Sequence, residues 1–136
     1  SSQLQKLDQF VQRRREIARH YNESFSNNNM LLIPGIHGST DHAYHLYPLQ
    51  IDFDKLTLTK SEFFNKMKKL GINLQVHYIP VHTQPFYKNK YGFELGDFPV
   101  SENFYDRVVS IPLYPSLTDA EVEKVVADIS SFVESK

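Results

Sequence analysis

Gln75-Val76-His77-Tyr78-Ile79-Pro80-Val81-His82 is the stretch on which the reading of this chain turns. Its first half continues from Ile72, and Ile72 to Tyr78 has the branched and aromatic composition of a strand. Pro80 and Pro85 then enclose a loop, Ile79 to Tyr91, that carries aromatic rings and a histidine. Strand ends that run into stiffened loops are places where sites are built. Gln75, His77 and Tyr78 can hydrogen-bond hydroxyls or phosphates, and Tyr78 can also stack on a sugar or a base. The residues alone leave a purely structural loop as good a reading as a ligand loop.

Upstream of this stretch, Thr59-Lys60-Ser61-Glu62 is a capping box, with Thr59 as N-cap and Glu62 three residues on. It opens a helix, Lys60–Leu70, which Gly71 stops. Before it, Tyr44–Phe53 reads as a strand, with Leu46, Leu49, Ile51 and Phe53 as core candidates. Leu31–Ile33 reads as a short strand before Pro34-Gly35, and His37 to Asp41 has turn composition. The chain opens with a helical repeat of Leu4, Leu7, Val11, Ala18, Tyr21 and Phe25, ended by Asn27-Asn28-Asn29. Arg13, Arg14 and Arg15 point in three directions on that helix. They read as a solvated face, or else as contacts to phosphate or a partner surface. Downstream, a short helix is expected over Val100–Arg107 and a strand over Val108–Ile111. Thr118-Asp119-Ala120-Glu121 is a second capping box opening a helix over Asp119–Val133, with Val122, Val125, Val126, Ile129, Phe132 and Val133 along one face. This order gives an α/β fold, a few-stranded sheet covered by helices.

The composition excludes several function classes. A net charge of −1 lacks the basic excess with which a nucleic-acid binder displaces counterions. No apolar run approaches the ~20 residues needed to span a bilayer, and no signal-peptide pattern opens the chain. Cysteine is absent, so disulfides and thiolate chemistry are out. That permits a reducing compartment without requiring one, and a cytoplasmic location is the expectation. With 5 glycines in all, a glycine-rich nucleotide loop is not expected. The pairs His42/His45 and His77/His82 have neither helical metal-ligand spacing nor cysteine partners, so no metal site is expected, and His42 reads as structural or solvated. No nucleophile elbow or HExxH motif is present, and nothing in the chain makes a self-sufficient active site.

Several motifs in register resemble the DegT–StrS family of PLP-dependent nucleotide-sugar aminotransferases. Gln3-Leu4-x-x-Leu7 and Arg14-Arg15-x-x-Ala18-x-x-Tyr21 resemble the helix that leaves the large domain in that family. Tyr44-His45-Leu46-Tyr47 resembles the first strand of its small domain. Leu70-Gly71-Ile72 followed by Gln75 to His82 resembles the central motif. Pro85-Phe86-Tyr87, Tyr91-Gly92, Gly96-Asp97-Phe98-Pro99, Ser110-Ile111-Pro112-Leu113-Tyr114-Pro115 and Leu117-Thr118 follow in order. The glutamine before Val-His-Tyr-Ile-Pro-Val-His most resembles the aminotransferases of the pseudaminic acid pathway, which aminate C4 of a UDP-linked 4-keto-6-deoxy-N-acetylhexosamine.

The resemblance implies the small C-terminal domain of a fold-type I PLP-dependent transferase. Residues 1–25 would be the linking helix from an absent large domain, and residues 26–136 the small domain. The Schiff-base lysine and the cofactor's other ligands would lie in the absent part, so this chain alone is expected to hold no cofactor and no catalytic residue, and to be inactive. Gln75, Val76, His77, Tyr78 and His82 would line the substrate pocket. The full-length enzyme would be a homodimer using a nucleotide sugar and glutamate as amino donor, with no nucleic-acid or membrane partner. The first helix would have lost its packing, leaving Leu4, Leu7, Phe10 and Val11 as an association surface. A stand-alone sugar-nucleotide binding module and an assembly module are the competing readings.

Overall fold

In the computed structural model, residues 4–38 and 40–134 are described. The motif residue Gln3, the turn residue Ser39 and the ends of the two expected domains lie outside them.

A 3-10 turn, Leu4–Lys6, leads into α1, Leu7–Phe25. Then come β1, Leu31–Leu32; β2, Tyr47–Ile51; α2, Phe53–Leu56; and α3, Lys60–Lys69. A 3-10 turn at Val81–Thr83 precedes α4, Pro85–Tyr91, and α5, Pro99–Arg107; β3, Val108–Ile111, and α6, Asp119–Glu134, complete the chain. The three strands form one antiparallel sheet in the order β1-β2-β3, with Leu31 opposite Ile51 and Leu49 opposite Val109.

Alternation along β2 explains the layering. Tyr47, Leu49 and Ile51 are buried, while Pro48 and Gln50 are half-buried on the other face. The buried face joins one core with Ile17, Tyr21 and Phe25 of α1, Phe63 and Met67 of α3, and Val125 and Ile129 of α6. Gln50 on the opposite face meets Pro99, Asn103 and Phe104 of α5 around a shallow pocket. Covered on both sides, β3 is buried at every residue.

Both expected capping boxes form. Thr59 and Glu62 bond reciprocally at the start of α3, and Glu121 N–H donates to Thr118 Oγ1 while Thr118 N–H donates to Glu121 Oε2 before α6. Gly71 takes the left-handed φ of +82° that ends α3.

Four expectations change. The strand expected over Tyr44–Phe53 is shorter: Tyr44 has a φ of +47°, outside strand geometry, and Asp52 caps α2 by accepting from Lys55 N–H, which puts Phe53 in a helix. Leu46 therefore lies outside the strand and is partly exposed, and Tyr47 takes its expected place in the core. The strand expected over Ile72–Tyr78 reduces to one antiparallel bridge, Gln75 with Ser110, whose N–H groups and carbonyls pair at 2.9 and 3.0 Å. The next rungs on either side are blocked: Pro112 has no N–H, and Val108 N–H is already bonded to Phe104 O at the end of α5. The loop from Ile79 to Tyr91 is mostly helical, in the Val81–Thr83 turn and α4. Finally, Arg13, Arg14 and Arg15 act within the chain. Arg13 Nη2 donates to Leu117 O and Asp119 Oδ1, both at 2.7 Å; Arg14 Nε donates to Ala43 O at 2.9 Å; Arg15 Nε donates to His42 O at 2.9 Å and Arg15 pairs with Asp41.

Candidate functional site

The five residues singled out in Gln75–His82 occupy three different settings. Gln75 and His77 lie beside β3, because the bridge to Ser110 fixes the backbone there. Gln75 faces a cleft of about 630 Å³ whose walls include His45, Asn73, Ser110, Glu121 and Lys124. His77 Nε2 is 3.2 Å from Ser110 Oγ, and its ring lies 6.0 Å from that of Phe104. Burial, together with the nearby Lys60 ammonium, lowers the pKa of His77 below the ordinary histidine value. Val76 and Tyr78, one residue out of phase, are exposed, and Tyr78 is 95% exposed.

His82 is in a third setting. Its ring is only 7% exposed, its Nε2 is 2.7 Å from Glu102 Oε1, and the Phe98 ring packs 4.6 Å away. Glu102 also accepts from the N–H groups of Gly96, at 2.9 and 3.0 Å, and Phe98, at 3.4 Å. Burial raises the pKa of Glu102, but the bonds from His82, Gly96 and Phe98 outweigh it and leave the value below the ordinary glutamate range.

Phe98 and Phe104 connect the two histidines. With Asp97, Pro99, Val100 and Ser101 they line an open, largely apolar recess of about 550 Å³. The motif therefore borders two concavities, a mixed polar cleft at Gln75 and an aromatic recess backed by His77 and His82. Such surfaces suit a ligand with a planar or apolar face and several hydroxyls.

Ser110, Glu102, Phe98, Phe104 and Lys60 were not among the expected site residues. Ser110 had a signal: it is the one polar residue in Val108-Val109-Ser110-Ile111, a run otherwise apolar. Glu102 had a weaker one, as an acid in the first turn of a helix that starts at Pro99. Phe98 had one in the motif Gly96-Asp97-Phe98-Pro99, whereas Phe104 had none, since periodicity does not separate a recess wall from core.

Neither concavity fits pyridoxal phosphate, which needs a lysine amine, an acid for the ring nitrogen and a cradle of phosphate donors. Among the described residues Lys124 is the one lysine on either wall, and its Nζ is paired to Asp128 at 2.6 Å. Lys60 has its pKa lowered by burial, but its Nζ donates to Tyr105 O at 2.5 Å and lies over the Tyr105 ring. Among the described residues no group of three His, Asp or Glu side chains could hold a metal ion. His42 is structural: its Nδ1 accepts from Tyr44 N–H at 3.0 Å and its ring packs on that of Tyr44. No described helix is long and apolar enough to cross a membrane.

Comparison with known proteins agrees with the motifs. An uncharacterised protein of Methanocaldococcus jannaschii is 43% identical over 131 residues, covering 96% of this chain and 34% of that protein. The spore coat polysaccharide biosynthesis protein SpsC of Bacillus subtilis is 40% identical, again over 96% of this chain and 34% of its own length. Among solved structures, Helicobacter pylori PseC, described as an aminotransferase involved in pseudaminic acid biosynthesis, superposes with a TM-score of 0.83 at 26% identity, covering 99% of this chain and 36% of that one. The chain thus spans about a third of the length of the curated relatives it matches, and its α/β architecture is that of fold-type I aminotransferases. A family model for the DegT/DnrJ/EryC1/StrS aminotransferases matches residues 1–130, and the chain belongs to that family.

Proposed function

We propose that this chain is the small, C-terminal, substrate-side domain of a PLP-dependent aminotransferase that acts on a nucleotide-linked 4-keto-6-deoxy sugar. Residues 1–25 act as the linking helix and residues 26–136 as the domain. The cofactor supplies the amino-transfer chemistry and is held by residues outside this chain. Gln75, Val76, His77, Tyr78 and His82 form part of the sugar-nucleotide pocket.

The observation that carries this reading is the clustering of exposed rings and aliphatic groups along one length of chain. Val76, Tyr78, Phe86, Leu95, Val100 and Phe104 are all exposed, beside polar groups able to meet hydroxyls. Contiguous exposed apolar surface, such as Phe98, Val100 and Phe104 form around the recess, marks a binding face. Family membership supplies the reaction class. The motif's glutamine and the likeness to PseC favour a UDP-sugar of the pseudaminic acid type, with glutamate as donor and a homodimer as the working form.

The test is reduction of the full-length protein with borohydride in the presence of pyridoxal phosphate, followed by peptide mapping. The adduct is expected outside residues 1–136, with amino transfer to C4 of the UDP-linked keto sugar. This chain alone is expected to give neither adduct nor turnover. A specific adduct on one of its own lysines, with turnover, contradicts the proposal.

A further inference from the structure

His82 and Glu102 form a unit that the sequence motif does not contain. His82 is almost fully enclosed, yet only one of its ring nitrogens is engaged: Nε2 contacts Glu102 Oε1 at 2.7 Å. Among the described residues no group bonds Nδ1, and that atom is not sealed from solvent. The carboxylate facing Nε2 is itself anchored. Gly96 N–H donates to both of its oxygens at 2.9 and 3.0 Å, and Phe98 N–H to Oε1 at 3.4 Å. Gly96 reaches this position with a φ of +100°, a conformation that favours glycine. An ionised carboxylate only accepts hydrogen bonds, so the nitrogen that meets it must carry the proton. In a histidine, the partner of one nitrogen sets what the other can do.

We propose that Glu102 is a positioning residue: it holds His82 as the Nε2–H tautomer, so that Nδ1 is presented as the one lone pair of this enclosed ring, an acceptor for a hydroxyl of the sugar nucleotide. The ligand half of this statement rests on the reading that Gln75–His82 lines the substrate pocket; the tautomer half does not. The Phe98 ring, 4.6 Å from His82, restricts rotation of the imidazole. The connection from Gly92 to Phe98 is tied to the same carboxylate, so one side chain fixes both the histidine and the recess wall.

The tautomer is read directly from long-range 1H–15N spectra of histidine-labelled protein at a pH where the imidazole is neutral, with His82→Gln identifying the resonances. The wild-type protein should show a pyrrole-type nitrogen at Nε2 and a pyridine-type nitrogen at Nδ1. Glu102→Gln, whose amide can donate as well as accept, should give a mixture of tautomers. In the full-length enzyme Glu102→Gln and His82→Gln should each lower kcat/KM for the sugar half-reaction by about tenfold, the lower end for loss of an orienting partner. The double variant should be no worse than His82→Gln alone, because Glu102 acts through His82. A wild-type spectrum with the proton on Nδ1, or with mixed tautomers, overturns the proposal whether or not Glu102→Gln folds. Multiplying kinetic effects overturn it as well. A silent His82→Gln beside the expected tautomer result would instead overturn the placement of this stretch in the pocket, and with it the ligand half alone.

Discussion

Tyr47 and Tyr78 are both flanked by residues of a strand-like stretch, yet Tyr47 is fully buried and Tyr78 is 95% exposed. Tyr47 packs edge-on against Tyr21, 5.1 Å away, and its hydroxyl donates to Asn22 Oδ1 at 2.7 Å. Tyr21, in turn, donates to Pro112 O at 2.9 Å, and burial raises both phenol pKa values. The same contrast runs through the two halves of the molecule. In the sheet half, Phe25, Phe63, Leu49 and Ile51 are sealed in one core. In the half from Val76 to Phe104, Val100 is 84% exposed and Phe86 64%. Burial of apolar surface stabilises a fold by about 25 cal/mol per Å², so the first half carries stability, while the second presents its apolar surface outward.

Core truncation should give the largest effect. Phe63 packs between Phe53 and Phe132, with ring centroids at 5.8 and 5.5 Å. Phe63→Ala should cost about 3–5 kcal/mol in denaturant unfolding; a cost no larger than that of Phe86→Ala would break the comparison. Arg13 comes next. Its two 2.7 Å bonds join α1 to the start of α6, and Arg13→Ala should cost about 2 kcal/mol. An unchanged melting curve would return it to the solvated face first expected of it. Thr59→Ala, which removes the side-chain half of a capping box, should cost about 1 kcal/mol.

A smaller effect is one of pH. Because the folded state lowers the pKa of His77, the unfolded chain takes up that proton first on acidification. The His77 contribution to stability is thus fully present above the unfolded value of about 6.5 and diminishes as pH falls through it toward the folded value. His77→Gln should flatten the stability profile in that window; an unchanged slope would mean that burial and Lys60 do not act on this ring. At the bottom of the scale, Val100→Ser should change stability by no more than about 0.5 kcal/mol.

The sheet half was largely legible in the sequence because its signals are local. Both capping boxes, the glycine stop at Gly71 and the apolar face of α6 formed as read. The phase of α1 was only partly legible. Ala18, Tyr21 and Phe25 are buried, but Leu4 is 70% exposed and Leu7 and Phe10 are also exposed, since the helix starts beyond the reach of the core. These residues remain the expected association surface. The candidate site was legible as a segment but not as an arrangement. Whether Gln75 extends a strand depends on rungs 108 and 112 on β3, and neither Pro112 nor the capped Val108 is visible from the motif itself. The inward turn of His82 depends on Glu102, 20 residues away. The roles of the three arginines were not legible for the same reason: their partners, at 41–43 and 117–119, are remote in sequence.

Tyr78 offers the most direct test of the central claim, that the outward half is the substrate side of a sugar aminotransferase. At 95% exposure its side chain contributes little to the fold, so Tyr78→Ala should leave the melting temperature unchanged. In the full-length enzyme the two half-reactions should be measured separately on this variant. The variant should show a fall in kcat/KM of about tenfold, equivalent to about 1.4 kcal/mol, for the sugar half-reaction, with the amino-donor half-reaction unchanged. Equal kinetics in both half-reactions, or an equal loss in both, would contradict it.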